Sequence, residues 1–422
     1  MIKKLSILIL FGSLLFSLKS IFPRNIEAIN DPLNVSNNKF GIHILNDTDL
    51  EDADFLVNSS GGDWGYVTLV IRSDEWDHQR WQEVFDNMRR LHLIPIVRIA
   101  TKMTEKGWEK PNFDEIDGWV SFLGELNWVV QNRYITLGNE PNHASEWGGE
   151  ISPSEYAKYL KTFSEKLKGK SSDFFILNAG FDASSYNSKT TQSEEQFLRK
   201  MVEYNPNILT YIDGWASHSY PNPDFSGTQD DKGRGTVETF KWELTLLKTL
   251  GLNKKLPVFI TETGWRHDKD GQESDAKDLQ EVTERLIASY DIAWKDDGIV
   301  AITPFLLNYQ DPPFDIFSWK KPDGTFYDIY GKVKNLPKIK GVPIQSESVD
   351  VLSVIFPPII PSGGKFTGLI SIQNNGQGIW NGEETIYTKN KEVEMQISPI
   401  VILSDIEPGE KTPAIVKIKR KP

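Results

Sequence analysis

Cysteine is absent from the 422-residue sequence, which removes disulfides, thiolate metal sites, iron–sulfur clusters, a cysteine nucleophile and a lipidated N-terminal cysteine. Histidine is scarce: the six residues His43, His78, His92, His143, His218 and His267 form none of the close pairs, at helical or strand spacing, that mark zinc sites. Positive charge is in deficit, with 47 Lys and Arg against 59 Asp and Glu and a net charge of -12. A nucleic-acid partner needs a clustered basic surface that this balance disfavours, so an uncharged substrate is expected. At 39% hydrophobic and 25% charged residues, the chain is neither disordered, fibrous nor a multi-span membrane protein.

Lys3 and Lys4 precede an uncharged, mostly apolar run from Leu5 to Leu18 that ends at Lys19, the pattern of an export signal and short for a membrane span. Ser20 and Ala28 are the candidate cleavage points. Residues 1–28 are therefore read as a signal peptide or an N-terminal membrane anchor, and the protein as secreted or held at the cell surface.

From about residue 40, short apolar runs alternate with amphipathic segments. The runs Gly41 to Leu45, Tyr66 to Arg72, Ile94 to Ile99, Tyr134 to Leu137, Phe174 to Asn178, Ile212 to His218, Pro257 to Glu262 and Val300 to Leu307 read as parallel strands buried on both faces. Between them, Asp74 to His92, Asp114 to Val130, Pro153 to Leu167, Glu194 to Tyr204, Thr236 to Leu250 and Ala276 to Lys295 carry apolar residues at helical spacing, and Tyr327 to Val333 reads as a short last helix. Ser152, Pro153 and Glu155 form a start signal, with Ser152 as the cap. Eight such units predict an α/β (β/α)8 barrel over residues 29–343. Beyond Pro343 the pattern turns strand-like, through Val349 to Phe356, Lys365 to Gln373, Glu384 to Thr388, Glu392 to Ile397 and Ala414 to Lys419, which predicts a small all-β immunoglobulin-like sandwich over 344–422.

Polar residues at the C-terminal ends of barrel strands face the active-site mouth. The fourth strand ends in Asn139-Glu140-Pro141-Asn142 and the seventh in Thr261-Glu262-Thr263-Gly264-Trp265, so two glutamates face one mouth from opposite walls. Two carboxylates so placed can flank a glycosidic bond, about 5 Å apart for double displacement and roughly 6.5 to 9.5 Å apart for direct inversion. A buried guanidinium beside Glu262 would hold it ionised, a place open to Arg72, at the end of the second strand, or Arg98, at the end of the third. Trp265 and Trp147 are candidate sugar platforms, with Trp76, Trp108 and Trp319 behind them. His43, at the end of the first strand, and His143 could reach sugar hydroxyls.

On these motifs, residues 40 to 340 resemble the clan A glycoside hydrolases, retaining (β/α)8 glycosidases that include cellulase-like, xylosidase-like and exopolysaccharide-hydrolase-like families. The resemblance implies Glu140 as acid/base, Glu262 as nucleophile and Asn139 as partner of the substrate 2-hydroxyl. It implies Tyr220 hydrogen-bonded to the nucleophile with His218 beside it, favours Arg72 slightly over Arg98, and calls for no cofactor and no metal. The chain departs from the cellulase-like pattern at the eighth strand, which ends in Leu307-Asn308-Tyr309-Gln310 without a Trp. Asn308, Tyr309 or Gln310 then fills that place. Read together, the sequence predicts an exported retaining β-glycoside hydrolase acting on a poly- or oligosaccharide. A transglycosylase, a non-catalytic glycan-binding surface protein and a metal-dependent barrel hydrolase are the competing readings.

Overall fold

A computed structural model describes residues 29–267, 279–357, 361, 363–381, 385–386, 395–398, 400–401 and 404–420. The expected export segment 1–28, the start of the predicted helix from Ala276 and parts of the predicted strands at Glu384 to Thr388 and Glu392 to Ile397 lie outside these residues.

Eight parallel strands follow one another in chain order: β1 (Gly41–His43), β2 (Gly65–Arg72), β3 (Leu93–Ala100), β4 (Arg133–Leu137), β5 (Phe174–Leu177), β6 (Trp215–His218), β7 (Val258–Glu262) and β8 (Ile299–Ile302). β1 to β5 pair in sequence, as do β6 to β8. Parallel bridges between Leu177 and Gly214 and between Phe40 and Ile302 close the ring into a (β/α)8 barrel. The strands are almost wholly buried because apolar residues face both the barrel interior and the surrounding helices.

The helices are α1 (Leu50–Val57), α2 (His78–Arg90), α3 (Ile116–Glu125), α4 (Pro153–Lys170), α5 (Glu194–Tyr204), α6 (Thr239–Thr249), α7 (Leu279–Asp291) and α8 (Asp328–Lys334). In α2, the Asp77 side chain caps the first turn by accepting from the Arg80 N–H at 3.0 Å, and Trp81, Val84, Phe85 and Met88 form the face buried on the barrel. The helix therefore starts four residues after the predicted Asp74. Ser152 stands at the cap position of α4, but its side chain makes no capping bond. Glu155 is drawn instead to Lys110 at 2.8 Å and to the Trp147 indole N–H at 3.0 Å, so the helix start is anchored to the neighbouring loops. The eighth strand ends at Ile302, five residues before the predicted Leu307.

The C-terminal segment forms an antiparallel sheet of β9 (Val349–Ile355), β10 (Lys365–Asn374), β11 (Met395–Ile397) and β12 (Lys411–Arg420), in the order β9-β10-β12-β11. Ile370, Ile372, Trp380, Ile406, Ala414, Val416 and Ile418 make its own core. It is seated on the barrel end opposite the strand C-termini. Gln345 Nε2 donates to the Val129 carbonyl, Gln377 Nε2 to that of Val130 and Asn127 Nδ2 to that of Gly376, at 2.8 to 3.0 Å, and Arg90 pairs with Glu407.

Glu194 of α5 and Glu243 of α6 are fully buried against each other behind β6, near Trp215 and Ser217, with no aligned hydrogen-bond donor on either carboxylate. Desolvation and the charge of Glu243 hold Glu194 well above the carboxylate range, with Arg234 opposing; desolvation raises Glu243 from 4.5 to about 7 against the Ser217 hydroxyl, the Trp215 indole and the Glu194 carboxyl, which favour its charged form, and against the charge of His218. The folded state therefore keeps protons that the unfolded chain releases near pH 4.5. The stability they contribute is present below that pH and is lost as pH rises through about 7, a decline on the order of 3 kcal/mol from Glu243. Thermal melts across this range should show a shallower decline for Glu243→Gln than for wild type, and an equal slope would assign the pair no linkage to folding.

Candidate active site

The residues at the strand C-termini converge on Glu262. This residue ends β7 and is buried, and Arg98 Nη1 donates to its Oε1 at 3.1 Å while the Tyr220 hydroxyl donates to Oε2 at 3.1 Å. Desolvation pushes its pKa up, but the charges of His218 and Arg98 and the Tyr220 hydrogen bond outweigh it, so the carboxyl lies below the usual range. Glu140 stands just beyond β4 in a left-handed turn with φ of 29°, after Gly138 at 97°. This turn carries the chain off the strand and into the mouth. Its Oε1 lies 2.8 Å from His218 Nδ1, and Glu262 Oε2 lies 3.7 Å from the same nitrogen. One oxygen of each glutamate and a nitrogen of His218 lie within 4.8 Å of one another.

His218 ends β6 and is buried. Desolvation lowers its pKa, but the charge of Glu262 and the hydrogen bond and charge of Glu140 raise it further than burial lowers it, so the net shift is upward. Together Glu140, His218 and Glu262 offer three ligand atoms of the kind a cation takes. Arg98 and Tyr220 already donate to the Glu262 oxygens, however, and the guanidinium beside them repels a metal ion, so the donor set fits a protonated histidine better than a metal.

The structure separates the other sequence candidates. Asn139 joins the centre: its Oδ1 accepts from Arg98 at 2.9 Å and its Nδ2 donates to Glu146 at 3.2 Å. Of the two arginines, Arg98 meets Glu262 and Arg72 does not, which corrects the slight preference for Arg72. Val70 pairs with Arg98 and Arg72 with Ala100, so Arg72 sits one pleat repeat, about 7 Å, farther out of the barrel. There it pairs with Asp74 and Glu75 at 3.0 Å.

The tryptophan platforms also need correction. Trp265 is 3% exposed and donates its indole N–H to the Gly227 carbonyl, while Trp147 is 2% exposed and lies edge-on to Tyr156 and Tyr159. Neither offers an open ring face. Trp76 packs on Trp119, and Trp319 is buried in the core. Trp108, in a two-stranded hairpin after β3, is the partly exposed indole nearest the centre, with the Arg98 guanidinium 5.9 Å from its ring centroid. Asn308 donates to both oxygens of Asp49 and accepts from Gln310, so it braces the loop after β8 away from the carboxylate pair. His43 is fully buried, edge-on to Phe305, and burial lowers its pKa to about 3, so it is neutral. His143 lies beside the centre and binds Asp182 and Ser185 through Nε2.

Three residues that the sequence did not single out complete the site. Glu146, in the loop after Glu140, is raised to about 7, chiefly by burial, with Arg98 opposing. Asp182 holds His143, Ser184 and Ser185, and its backbone exchanges hydrogen bonds with the Asn142 side chain. Gly180 accepts the Glu140 N–H at 2.9 Å. A pocket of about 490 Å³, its open mouth included, adjoins Asn139 and Glu146 and is lined also by Arg98, Trp108, Asn112 and Tyr159.

No protein-family model and no curated protein matches the sequence. Solved structures that resemble it include a GH128 endo-β-1,3-glucanase from Sorangium cellulosum, at 13% identity and a TM-score of 0.47, covering 71% of this chain and 98% of that one. An α-L-arabinofuranosidase from Thermotoga maritima shows 11% identity and a TM-score of 0.47, covering 94% of this chain and 98% of its own. A GH39 β-xylosidase from Caulobacter crescentus shows 10% identity and a TM-score of 0.46, with 94% and 98% covered.

A side chain at Gly180 has no room, because a Cβ there would lie 2.1 Å from His218 Cδ2. Gly180→Ala should push the imidazole off Glu140, and with that hydrogen bond lost and only the Glu262 charge left to offset burial, its pKa should fall below the wild-type value in an NMR titration. An unchanged titration would mean that the backbone at 180 yields instead of the ring.

Proposed function

We propose that the protein is a retaining glycoside hydrolase in which Glu262 is the nucleophile and Glu140 the acid/base. The observation that carries this reading is the close approach of the two carboxylates, with oxygens inside 4.8 Å at the ends of opposite strands. So close an approach of one oxygen from each side favours direct attack on an anomeric carbon over the wider separation that inversion by water uses.

In this reading Glu262, kept ionised by Arg98 and held in line by Tyr220, attacks the anomeric carbon as Glu140 protonates the leaving oxygen. Esterification removes the Glu262 charge that raises the His218 pKa, so the imidazole beside Glu140 holds its proton less tightly in the step where water is activated. Asn139, fixed between Arg98 and Glu146, presents its amide to a sugar hydroxyl, and Trp108 supplies an apolar wall for a pyranose in the adjoining pocket. The same reading takes residues 1–28 as the segment that directs export, 29–343 as the catalytic barrel and 344–422 as an immunoglobulin-like accessory module.

The test is a panel of β-glucans, mannans, xylans and bacterial exopolysaccharides assayed for new reducing ends. Wild type should release them and Glu262→Gln should not. Glu140→Gln should lose about 10²- to 10⁴-fold on natural linkages and much less on aryl glycosides whose leaving groups need no proton. NMR of the first product should show the anomeric configuration of the substrate. Hydrolysis that survives both substitutions, or an inverted first product, would overturn the assignment.

A further inference from the structure

Among the described residues the C-terminal sheet packs one face into its core and leaves the other exposed, and the register shows what that exposed face carries. Ile355 pairs with Leu369 and Leu369 with Ile415, so three aliphatic side chains, 65%, 44% and 63% exposed, lie side by side across β9, β10 and β12. Further along the same face Thr367 pairs with Lys417 and Lys365 with Lys419, and all three lysines are exposed. In the other direction come Ser353, Ser371 and Pro413, and then Asp350, Gln373 and Lys411. The result is a face with a continuous apolar row bordered on one side by lysines and on the other by small polar residues, and Asp350 is the one acidic residue in these rows, at the far end beside Lys411. It stands out in a chain whose net charge is -12.

We infer that this face rests on an anionic lipid bilayer. Lysines within a few ångströms of anionic headgroups gain electrostatic attraction, and short aliphatic side chains between them can enter the interface. A soluble polyanion would use the lysines and leave the aliphatic row in water, so the row favours the bilayer. The path of the chain points the same way. Asn30, two residues after the segment bearing the apolar run from Leu5 to Leu18, is held by Asn132 Nδ2 at 2.8 Å, and Asn30 to Pro32 line a pocket with Val342 to Ile344, which lead into the C-terminal sheet. The sheet and the entry of residues 1–28 thus share the barrel end opposite Glu140 and Glu262, leaving the mouth free. This inference does not depend on the reaction the barrel performs.

Both hydrophobic cores described above are built from residue 29 onward, so residues 29–422 can be tested without the apolar N-terminal run. Co-sedimentation with phosphatidylcholine vesicles, with and without phosphatidylglycerol, should show binding only when phosphatidylglycerol is present, weakening as salt is raised. Lys417→Glu with Lys419→Glu should weaken it about tenfold or more. Ile415→Asp should weaken it too, and Asp350→Lys should strengthen it, a gain that misfolding cannot mimic. Circular dichroism should be unchanged in each. Absence of binding, equal binding to both vesicles, indifference to these substitutions, or binding to soluble polyphosphate but not to vesicles would each overturn the inference.

Discussion

The contact between Arg98 and Glu262 is the constraint on which the rest of the centre depends. Two glutamates brought close together in a buried mouth repel each other, and a third, Glu146, lies nearby. One guanidinium reaching both Glu262 and Asn139 offsets that repulsion and fixes the amide through which Glu146 is held. The strand register puts it there: Arg98 pairs with Val70 on one side and Thr136 on the other, one level below the rim, where its side chain must point into the mouth. Trp108 and the hairpin that carries it then cover the guanidinium and keep it from full solvation.

A second set of supports comes from the segment after β5. The Gly180 carbonyl receives the Glu140 N–H, Asn142 and His143 are tied to Asp182, and Asp182 bridges to His218 on the next strand. The three residues from Gly180 to Asp182 thus hold the two members of the Glu140–His218 pair in one frame, although neither belongs to the segment. The absence of a side chain at Gly180 is what lets the imidazole lie flat against it.

How much of this was legible in the sequence follows from the distance over which each feature is determined. Glu140, Glu262, His218 and Tyr220 could be named because strand ends are local, and a polar residue after a buried apolar run has a mouth to point into. The choice between Arg72 and Arg98 could not be made, since it depends on how far one strand is staggered against the next. Indole burial was equally hidden: Trp147 and Trp265 sit just after Glu140 and Glu262 in sequence, but neighbouring helices and loops fill the space over their faces. Glu146 carries no pattern of its own, and α1, eight residues long, gives too little periodicity to stand out. The Ser152 start signal marked the helix correctly but not its chemistry, because Lys110 and Trp147 compete for Glu155.

The way the C-terminal sheet is joined to the barrel has a consequence for how the two parts could be recombined. Gln345 and Gln377 reach down to the carbonyls of Val129 and Val130, in the stretch that feeds the strand bearing Asn139 and Glu140. Val129 and Val130 are buried, so the two glutamine amides take the place of water at these carbonyls. A lineage could not exchange this part for another as freely as a bead on a flexible thread. Any replacement would have to bring two amides to the same places, or the floor beneath the strand that leads to Glu140 would have to be rebuilt.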